Sequence, residues 1–374
     1  MKQFDVIIVG GGLAGLTAAL ELSGSAKNVL VIEKSSYPCH KVCGEYVSME
    51  VVPYLESLGI DLNDAVRINK MEISNKKGRI LKTSLPLGGI GISRYELDYR
   101  LYQKALAQGV AFIFGTVTNI EFRDPGFKIT TALEEVLSAE VVIGAFGKRS
   151  NLDKTLNRKY MERRAPWLGV KAHYNYSDFP DDLVGVHSFD GGYGGLSKTE
   201  TGAVNFCYLA NYRSFKKYAD INAFNQKVVS QNPHLKALFN KADLLFSKPL
   251  SIAQISFEKK LQVEDHIIMC GDASGLIHPL CGNGMAMAIH SALLASALIK
   301  SYLEDIDFSR EQLEQTYTSQ WNKNFGQRLW WGRQLQSLIM NNFMSDLVLR
   351  GFAISDRLTG VIIRKTHGKP IEIS

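Results

Sequence analysis

The fold is decided by the stretch FDVIIVGGGLAGLTAALELSG at residues 4–24 and by the run VLVIE that follows it at residues 29–33. The two ends of this region are short apolar runs rich in β-branched residues, which favour buried strands. Between them, a glycine-rich turn precedes a segment of helix-forming residues. The pattern predicts a strand, a tight turn, a helix and a second, parallel strand, which is the opening unit of an α/β fold.

The glycines of the turn, Gly10, Gly12 and Gly15, have the spacing GxGxxG directly after a strand and directly before a helix. In that context the first permits the turn, the second lets a pyrophosphate approach the backbone, and the third lets the helix pack on the strand. Glu33 ends the second strand, where a carboxylate binds ribose hydroxyls and repels a 2′-phosphate, so we expect FAD or NAD rather than NADP. The predicted nucleotide contacts of this unit are Gly10, Gly12, Leu13, Ala14, Gly15, Glu33 and Lys34.

Composition narrows the class of protein. The chain has 374 residues, of which 45% are hydrophobic, so it can bury a core without disulfides. Five cysteines, no cleavable leader and no run of about 18 apolar residues lead us to expect a cytoplasmic protein with reduced thiols that does not cross a membrane. Lys and Arg outnumber Asp and Glu by 43 to 37, which suits anionic cofactors or anionic membrane surfaces. Because the basic residues are scattered, we expect no nucleic-acid partner.

A second glycine-rich segment, GDASGLIHPLCGNG at residues 271–284, follows the apolar run HIIMC. Together with the N-terminal unit, it resembles the flavoprotein superfamily that includes p-hydroxybenzoate hydroxylase and geranylgeranyl reductase. The resemblance implies FAD as the cofactor and Asp272 as a ligand on its ribitol side. The turn at residues 282–284 would direct the dipole of the following helix at the flavin, where it stabilises negative charge. The contacts implied for this segment are Gly271, Asp272, Gly282, Asn283, Gly284 and Met285.

Two further segments carry the same resemblance. IGAFGKRSNLD at residues 143–153 is similar to the family's GADGxxS segment, with Phe146 where the aspartate usually stands. SRYELDYRL at residues 93–101 is similar to a segment whose arginine lies near the cofactor, which implies that Arg94 contacts FAD. From the residues alone, Arg94 fits equally well as a surface arginine at the start of a helix.

The segment HKVCGEYV at residues 40–47 resembles the loop that passes beside the flavin ring, where the reductase branch has a Cys-Gly-Gly pattern. The resemblance implies that Lys41 and Val42 contact FAD. Cys43 is a candidate catalytic residue: it could tune the flavin, or donate a proton to substrate if Lys41 lowers the pKa of its thiol. An inert, partly buried thiol fits Cys43 equally well.

Tyr193 and His278 are the other catalytic candidates. Tyr193 is retained from a Tyr-x-Trp-x-Phe-Pro pattern of the reductase branch, although an ordinary sheet aromatic fits the same position. His278, beside the second glycine-rich turn, is either an acid or base at the flavin or a structural histidine. Cys39, His40 and Cys43 suggest a metal site, but further ligands are not apparent nearby, so we expect no metal.

We expect three parts that interleave along the chain, in an α/β fold with a Rossmann-type FAD-binding domain. Their predicted bounds are 1–65, 93–160 and 260–305 for the FAD-binding domain, 66–92 and 161–259 for a β-sheet substrate domain, and 306–374 for a helical C-terminal region.

The reaction is less constrained than the cofactor. GDASG in place of the hydroxylases' GDAAH favours the reductase branch, so we expect reduction of a carbon–carbon double bond in an isoprenoid or polyene-like apolar small molecule. An aromatic or polyketide monooxygenase is the alternative, and a flavin halogenase or a flavin carrier is a weaker one. No second GxGxxG stands between a strand and a helix, so NAD(P)H binds transiently or a protein donates the electrons. The oligomeric state stays open.

Residues 326–350, GQRLWWGRQLQSLIMNNFMSDLVLR, predict an amphipathic helix. Its apolar residues at helical spacing are Leu335, Leu338, Ile339 and Phe343, and its grouped aromatic and basic residues are Arg328, Trp330, Trp331 and Arg333. We expect a lid that makes a peripheral contact with an anionic membrane and admits an apolar substrate. A helix that packs on the core or at a dimer contact fits the same pattern.

Overall fold

The computed structural model describes residues 2–25, 28–340 and 367–372. Its strands, in chain order, are β1 (Lys2–Val9), β2 (Val29–Glu33), β3 (Tyr46–Ser48), β4 (Val66–Ser74), β5 (Ile80–Gly91), β6 (Ala111–Phe114), β7 (Val117–Arg123), β8 (Gly126–Thr131), β9 (Val136–Gly144), β10 (Trp167–Asn175), β11 (Leu183–Phe189), β12 (Gly192–Lys198), β13 (Val204–Asn211), β14 (Asp243–Leu244), β15 (Leu250–Ile255), β16 (Val263–Glu264) and β17 (Ile267–Met269). Its α-helices are α1 (Leu13–Leu22), α2 (Val52–Ser57), α3 (Arg94–Ala107), α4 (Leu152–Thr155), α5 (Tyr212–Phe215), α6 (Ile221–Lys227), α7 (Pro233–Lys241), α8 (Gly284–Glu304) and α9 (Arg310–Met340).

The first sheet is mostly parallel and has the strand order β16-β17-β9-β1-β2-β6, with the hairpin β7-β8 joined through β9. β1 lies between β2 and β9 and pairs in parallel with both. The chain leaves β1 toward β2 on one side and returns later to β9 on the other. The carboxyl end of β1 therefore lies where the strand order reverses, which is the crevice where open parallel sheets bind ligands.

The second sheet has the order β14-β10-β13-β12-β11-β4-β5-β3, with β15 on β10. Its pairings are antiparallel except the one between β4 and β11. On one face, apolar side chains such as Val170 and Phe206 pack on Phe224 of α6 and Leu235 of α7. Residues that alternate with these line the cavity described below, because successive side chains of a strand point to opposite faces.

These two sheets and their helices confirm the predicted α/β class with an interleaved second sheet. One element lies elsewhere than expected. β3 falls within residues 1–65, which we expected in the FAD-binding domain, yet it pairs with β5 in the second sheet. A strand of three residues is too short to carry a period-two pattern, so the sequence does not reveal its partner.

The largest core lies between the first sheet and helices α1, α3 and α8. By length and composition α8 could cross a membrane, which differs from our expectation that no segment would, and 44% of its apolar window is buried in the protein. Within the described residues it is the one such helix. Ile289, Ala292 and Ala295 of α8 are fully buried and α8 packs against α1 and α9, as a core helix does.

The helix α9 and residues 367–372 meet at a buried carboxylate. Glu50 accepts a hydrogen bond of 2.7 Å from Nη1 of Arg328 and one of 2.8 Å from the backbone N–H of Gly368. Burial raises the pKa of Glu50, but a hydrogen bond with His290 and the charge of Arg328 outweigh it and bring the pKa to about 2. Arg328 therefore does not lie at the surface as a membrane lid would require, since its charge is used to compensate Glu50.

Of the other residues of the predicted lid, some lie at the surface and some face the interior of the protein. Trp330 is 49% exposed and Arg333 is exposed, as a surface contact requires. Leu335 faces inward instead and packs on an apolar cluster of the second sheet. The side chains of Leu338 and Ile339, and the whole of Phe343, lie outside the described residues.

Candidate active site

The glycine-rich turn between β1 and α1 has the geometry that the motif predicts. Gly10 has φ +106°, and a Cβ there would overlap the backbone of Ala145 on β9's continuation. A Cβ at Gly15 would overlap the carbonyl oxygen of Gly10, so this glycine lets α1 pack on β1. A Cβ at Gly12 meets no backbone and would point into a gap. The turn thus leaves open space only where a pyrophosphate is expected.

Two cations border the gap at Gly12. A Cβ at Gly12 would lie 3.5 Å from Nη2 of Arg94 and 4.0 Å from Nζ of Lys41. Arg94 forms a bidentate pair with the buried Asp98, at 2.6 and 2.8 Å, and Lys41 lies 3.1 Å from the same carboxylate. Two positive charges against one negative charge leave an excess of one, which suits a diphosphate. Of the two interpretations of Arg94, the structure favours a partly buried position beside the gap at Gly12 over a surface position.

Glu33 lies at the end of β2, as predicted, and is buried. Its carboxylate accepts hydrogen bonds from the backbone N–H of Gly11 at 2.6 Å and of Ser35 at 3.1 Å. These bonds fix the carboxylate at the edge of the cavity that it lines. Each carboxylate oxygen keeps a second lone pair, which is what a ribose hydroxyl needs.

The second glycine-rich segment closes the opposite side. The carboxylate of Asp272, after β17, lies 3.9 Å from Nζ of Lys148 and lines the cavity. Gly282 has φ +63°, a left-handed turn that glycine adopts without strain. α8 begins at Gly284, so N–H groups of its first turn, which lack intrahelical partners, end at the cavity. A helix N-terminus in this position stabilises an anion.

These elements surround a continuous cavity of about 810 Å³. We call one end the nucleotide end, bordered by Gly10, Gly12, Glu33, Lys41 and Arg94. We call the other the apolar end, whose wall is formed by Val186, Leu209, Ile252, Ile255, Phe257 and Leu280. The remaining predicted residues that line the cavity are Leu13, Ala14, Lys34, Val42, Cys43, Tyr193, Gly271, Asp272, Gly282, Asn283, Gly284 and Met285.

The three catalytic candidates have different positions. Cys43 is partly buried and lines the cavity. Tyr193 is buried in the apolar end, where its hydroxyl accepts a hydrogen bond of 3.3 Å from the backbone N–H of Leu280. His278 is not among the residues that line the cavity; its ring stacks on Phe257, and burial, followed by the charge of Arg333, lowers its pKa to about 3. The structural interpretation of His278 fits this position better than a role as acid or base.

Sequence reasoning missed a charged group beside Cys43. Glu45 lies beside the cavity but its side chain has no exposed surface, and its carboxylate accepts hydrogen bonds from Lys171 and from His173. Lys171 and His173 stand two residues apart in WLGVKAHYN of β10, so they share one face of an otherwise apolar strand. That pair of polar residues in a buried strand is the signal that could have found the group.

Comparison with known proteins identifies the cofactor. Residues 3–322 match the family described as FAD binding domain. The chain belongs to this family. It is an FAD-dependent oxidoreductase, and the resemblance seen in its two glycine-rich segments is confirmed.

Relatives and solved structures agree with this assignment. A menaquinone reductase of Mycobacterium tuberculosis is 26% identical over 319 residues, which cover 79% of this chain and 76% of that protein. Digeranylgeranylglycerophospholipid reductase 1 of Methanothermobacter thermautotrophicus is 25% identical over 343 residues, or 84% of this chain and 81% of that protein. The structure of the flavin-dependent brominase Bmp2 matches with a TM-score of 0.75 and 18% identity over 94% of each chain, a likeness that shows the fold alone.

The residues present fit FAD. The gap at Gly12, flanked by Arg94 and Lys41, would hold the pyrophosphate, and Glu33 would hold the adenosine ribose. Asp272 would bind the ribitol, and the first turn of α8 would face the flavin. This leaves the apolar end for another molecule.

Proposed function

We propose that this enzyme reduces a carbon–carbon double bond in an isoprenoid or polyene-like chain of an apolar substrate. The observation that carries the proposal is the apolar end, a wall of aliphatic and aromatic side chains that continues from the flavin side of the cavity into the second sheet. A substrate with many polar groups would lose its hydrogen bonds to water against this wall. A hydrocarbon chain gains about 25 cal/mol for each Å² that leaves water.

The names of two relatives support the same substrate class. The menaquinone reductase and the digeranylgeranylglycerophospholipid reductase are named for molecules with isoprenoid chains. Leu335 of α9 packs on the apolar wall and lines the cavity, so the C-terminal helix contributes to the substrate site that we propose. Trp330 and Arg333, exposed on the same helix, support a peripheral contact through which a membrane-borne substrate would enter.

When bound, FAD supplies the hydride for such a reduction, and NAD(P)H or a protein donor supplies the electrons. The chain supplies position and a proton. The wall at Val186, Leu209 and Ile255 orients the alkene and excludes water. Cys43, which is partly buried and lines the cavity, is a side chain placed to pass a proton to the substrate.

The test is a product analysis with the FAD-loaded enzyme. Under anaerobic conditions, NADH, NADPH and reduced ferredoxin are each supplied together with digeranylgeranylglycerophospholipid or menaquinone in detergent, and products are analysed by mass spectrometry. We expect at least one reductant to give a product two hydrogens heavier in its isoprenoid chain, without oxygen. Oxygen is then admitted to a second set of samples.

The oxygen arm separates the competing reaction. A hydroxylated product that forms only with oxygen, with no saturated product, would replace the reductase by the monooxygenase alternative. Hydrogen peroxide as the sole product with both lipids would contradict a lipid substrate.

A further inference from the structure

Lys260 is a buried lysine beside two of the segments that surround the FAD site. It is 2% exposed, whereas the preceding Lys259 is exposed. A buried ammonium group costs free energy unless hydrogen bonds or charges replace the water that it loses. Lys260 does not line the cavity and belongs to neither glycine-rich segment. Its burial therefore needs a reason outside the direct contacts with FAD.

The Lys260 ammonium group joins two walls of the FAD site. Nζ donates a hydrogen bond of 2.7 Å to the backbone oxygen of Asp272 and one of 3.3 Å to the backbone oxygen of Lys148. Asp272 belongs to the second glycine-rich segment, and Lys148 belongs to the segment that follows β9. Both residues line the cavity. One buried side chain thus holds these two segments at a fixed distance from each other.

The backbone of Lys260 is fixed on the same part of the fold. Nε2 of Gln262 donates hydrogen bonds to the backbone oxygen of Lys260 at 3.0 Å and to that of Ser274 at 3.3 Å. The backbone N–H of Met269, on β17, donates a hydrogen bond of 2.9 Å to the backbone oxygen of Gln262. These bonds tie Lys260 to the strand that leads into Asp272, so the ammonium group is placed by the first sheet.

The partners of Nζ stabilise the cation without cancelling its charge. In the described part of the chain its hydrogen-bond acceptors are the two backbone oxygens, and the ring centroid of Tyr160 lies 4.5 Å from it. Carbonyl dipoles and an aromatic face attract a cation, but neither carries a full negative charge. Lys260 therefore differs from a lysine that is paired directly with a carboxylate.

The acidic residues near Lys260 have other cations closer to them. Asp153 lies 3.1 Å from Nη1 of Arg158, and Asp272 lies 3.9 Å from Nζ of Lys148. Burial lowers the pKa of Lys260, the charges of the two aspartates raise it, those of Arg158 and Lys148 lower it, and the result is about 8. Lys260 is therefore mainly charged at pH 7 and loses its proton as the pH rises through about 8.

We propose that Lys260 is a positioning residue of the FAD site, which holds Asp272 and Lys148 in place and whose positive charge favours reduced over oxidised flavin. FAD that gains two electrons and one proton carries one more negative charge than oxidised FAD. A fixed positive charge behind the cavity wall stabilises that extra charge. This inference rests on FAD binding and not on the proposed substrate, so it succeeds or fails independently of the lipid reduction.

The first test measures the potential of the bound flavin at pH 7. FAD-loaded protein is reduced stepwise with dithionite under anaerobic conditions, in equilibrium with a dye of known potential. Lys260→Met keeps an unbranched side chain but removes the charge, and should lower the affinity for reduced relative to oxidised FAD about tenfold. For a two-electron couple this is about 30 mV. Affinity for oxidised FAD should fall about threefold, because the Asp272 backbone loses a hydrogen bond.

Lys259→Met is the matched control, since it removes the same charge from the neighbouring, exposed position. It should leave the potential and the FAD affinity at their wild-type values. An equal shift of the potential in both variants would trace the effect to net charge and overturn the proposal. A wild-type potential in FAD-loaded Lys260→Met would overturn the electrostatic role of Lys260.

The second test repeats the measurement as a function of pH. Reduction places a negative charge near Lys260 and raises its pKa, so reduced wild type binds an additional proton above about pH 8. The wild-type potential should therefore fall more steeply with pH above about 8 than near pH 7, and Lys260→Met should lack the steeper part. A lysine that only holds the fold together would weaken FAD binding without this difference in slope.

Lys260→Arg decides the question if Lys260→Met retains no FAD. Arginine keeps the charge but does not titrate in this pH range. The variant should keep the reduced-to-oxidised affinity ratio within threefold of wild type at pH 7 and should lack the steeper part at higher pH. The same steeper part in Lys260→Arg would assign the additional proton to another group and overturn the proposal.

Discussion

The two ends of the cavity recognise their ligands by different means. At the nucleotide end, recognition depends on backbone geometry and fixed charges. Gly12 leaves a gap, and the group of Arg94, Lys41 and Asp98 carries an excess positive charge beside it. At the apolar end, side chains of the second sheet and α9 form a wall with few hydrogen-bonding groups. Hydrogen bonds and charges specify one ligand closely, whereas an apolar wall accepts any chain of suitable shape.

This difference predicts how each end responds to substitution. A change at the nucleotide end should alter FAD binding and leave the substrate site intact, because few residues are shared. A change at the apolar end should alter substrate affinity and leave FAD in place.

The largest expected effect is at Gly12. Its backbone, at φ −86°, is open to any residue, and a Cβ there meets no backbone, so Gly12→Val should fold normally. The valine would fill the space of the pyrophosphate and lower FAD affinity at least about 100-fold. Equilibrium dialysis with FAD measures this. The matched control is Gly195→Val on β12 of the second sheet, where a Cβ would lie no nearer than 3.9 Å to its neighbours, and it should keep FAD affinity within threefold. Equal FAD affinity in both variants would contradict the assignment of pyrophosphate binding to the gap at Gly12.

The next effect ranks two carboxylates of the FAD site. Asp272→Ala removes an acceptor and should weaken FAD binding about tenfold. Glu33→Gln removes a charge but keeps an oxygen that can accept the 2.6 Å bond from Gly11, so it should weaken binding about threefold. Release of FAD during gel filtration compares the two variants. The reverse order, or equal retention, would contradict the assigned ribitol contact of Asp272.

A comparable effect on substrate alone is expected at Ile252. This residue is partly exposed in the apolar wall, so Ile252→Asp should be tolerated by the fold. A carboxylate against a hydrocarbon chain should raise KM for digeranylgeranylglycerophospholipid about tenfold, because the chain would desolvate it. Steady-state kinetics and FAD titration of the same preparation check both halves of the prediction. A loss of FAD with no change in KM would mean that the ends are wrongly assigned.

The smallest expected effect concerns the exposed face of α9. Arg333→Glu should reduce sedimentation with anionic liposomes about fivefold, since a basic residue near an anionic surface contributes about 1 kcal/mol. Lys154→Glu on α4 changes the net charge equally and is the control, because it lies on another helix. Neutral liposomes should bind neither protein. If wild type stays in solution with both kinds of liposome, α9 is a structural helix and the membrane contact should be abandoned.

The nucleotide end could be predicted from sequence because its parts are close along the chain. Gly10, Gly12 and Glu33 lie within one βαβ unit, and the required backbone conformation restricts their identity. Arg94 needed the family resemblance, since an arginine at a helix start does not reveal Asp98 as its partner. The sequence pattern also grouped Arg328 with the exposed basic residues of a membrane lid. In the structure Arg328 is paired with the buried Glu50, which the pattern could not reveal because Glu50 lies 278 positions earlier in the chain.

The group around Glu45 was missed for the same physical reason. Glu45 and Lys171 are separated by 126 positions, and they meet only because the segment at residues 40–47 packs against β10 in the folded protein. The sequence carries one local signal of this group, which is the lysine and histidine two residues apart on a buried strand. His278 shows the opposite error: its motif predicted a titratable residue beside the flavin, but in the structure its ring stacks on Phe257 and does not line the cavity.

We propose that one cavity binds FAD at its nucleotide end and an unsaturated hydrocarbon chain at its apolar end. The most direct measurement is a stoichiometric single turnover in D₂O, with dithionite-reduced enzyme and digeranylgeranylglycerophospholipid under anaerobic conditions. We expect one double bond to be saturated for each flavin oxidised, with solvent deuterium at the protonated carbon. Flavin that stays reduced until oxygen is admitted, with no saturated lipid, would contradict it.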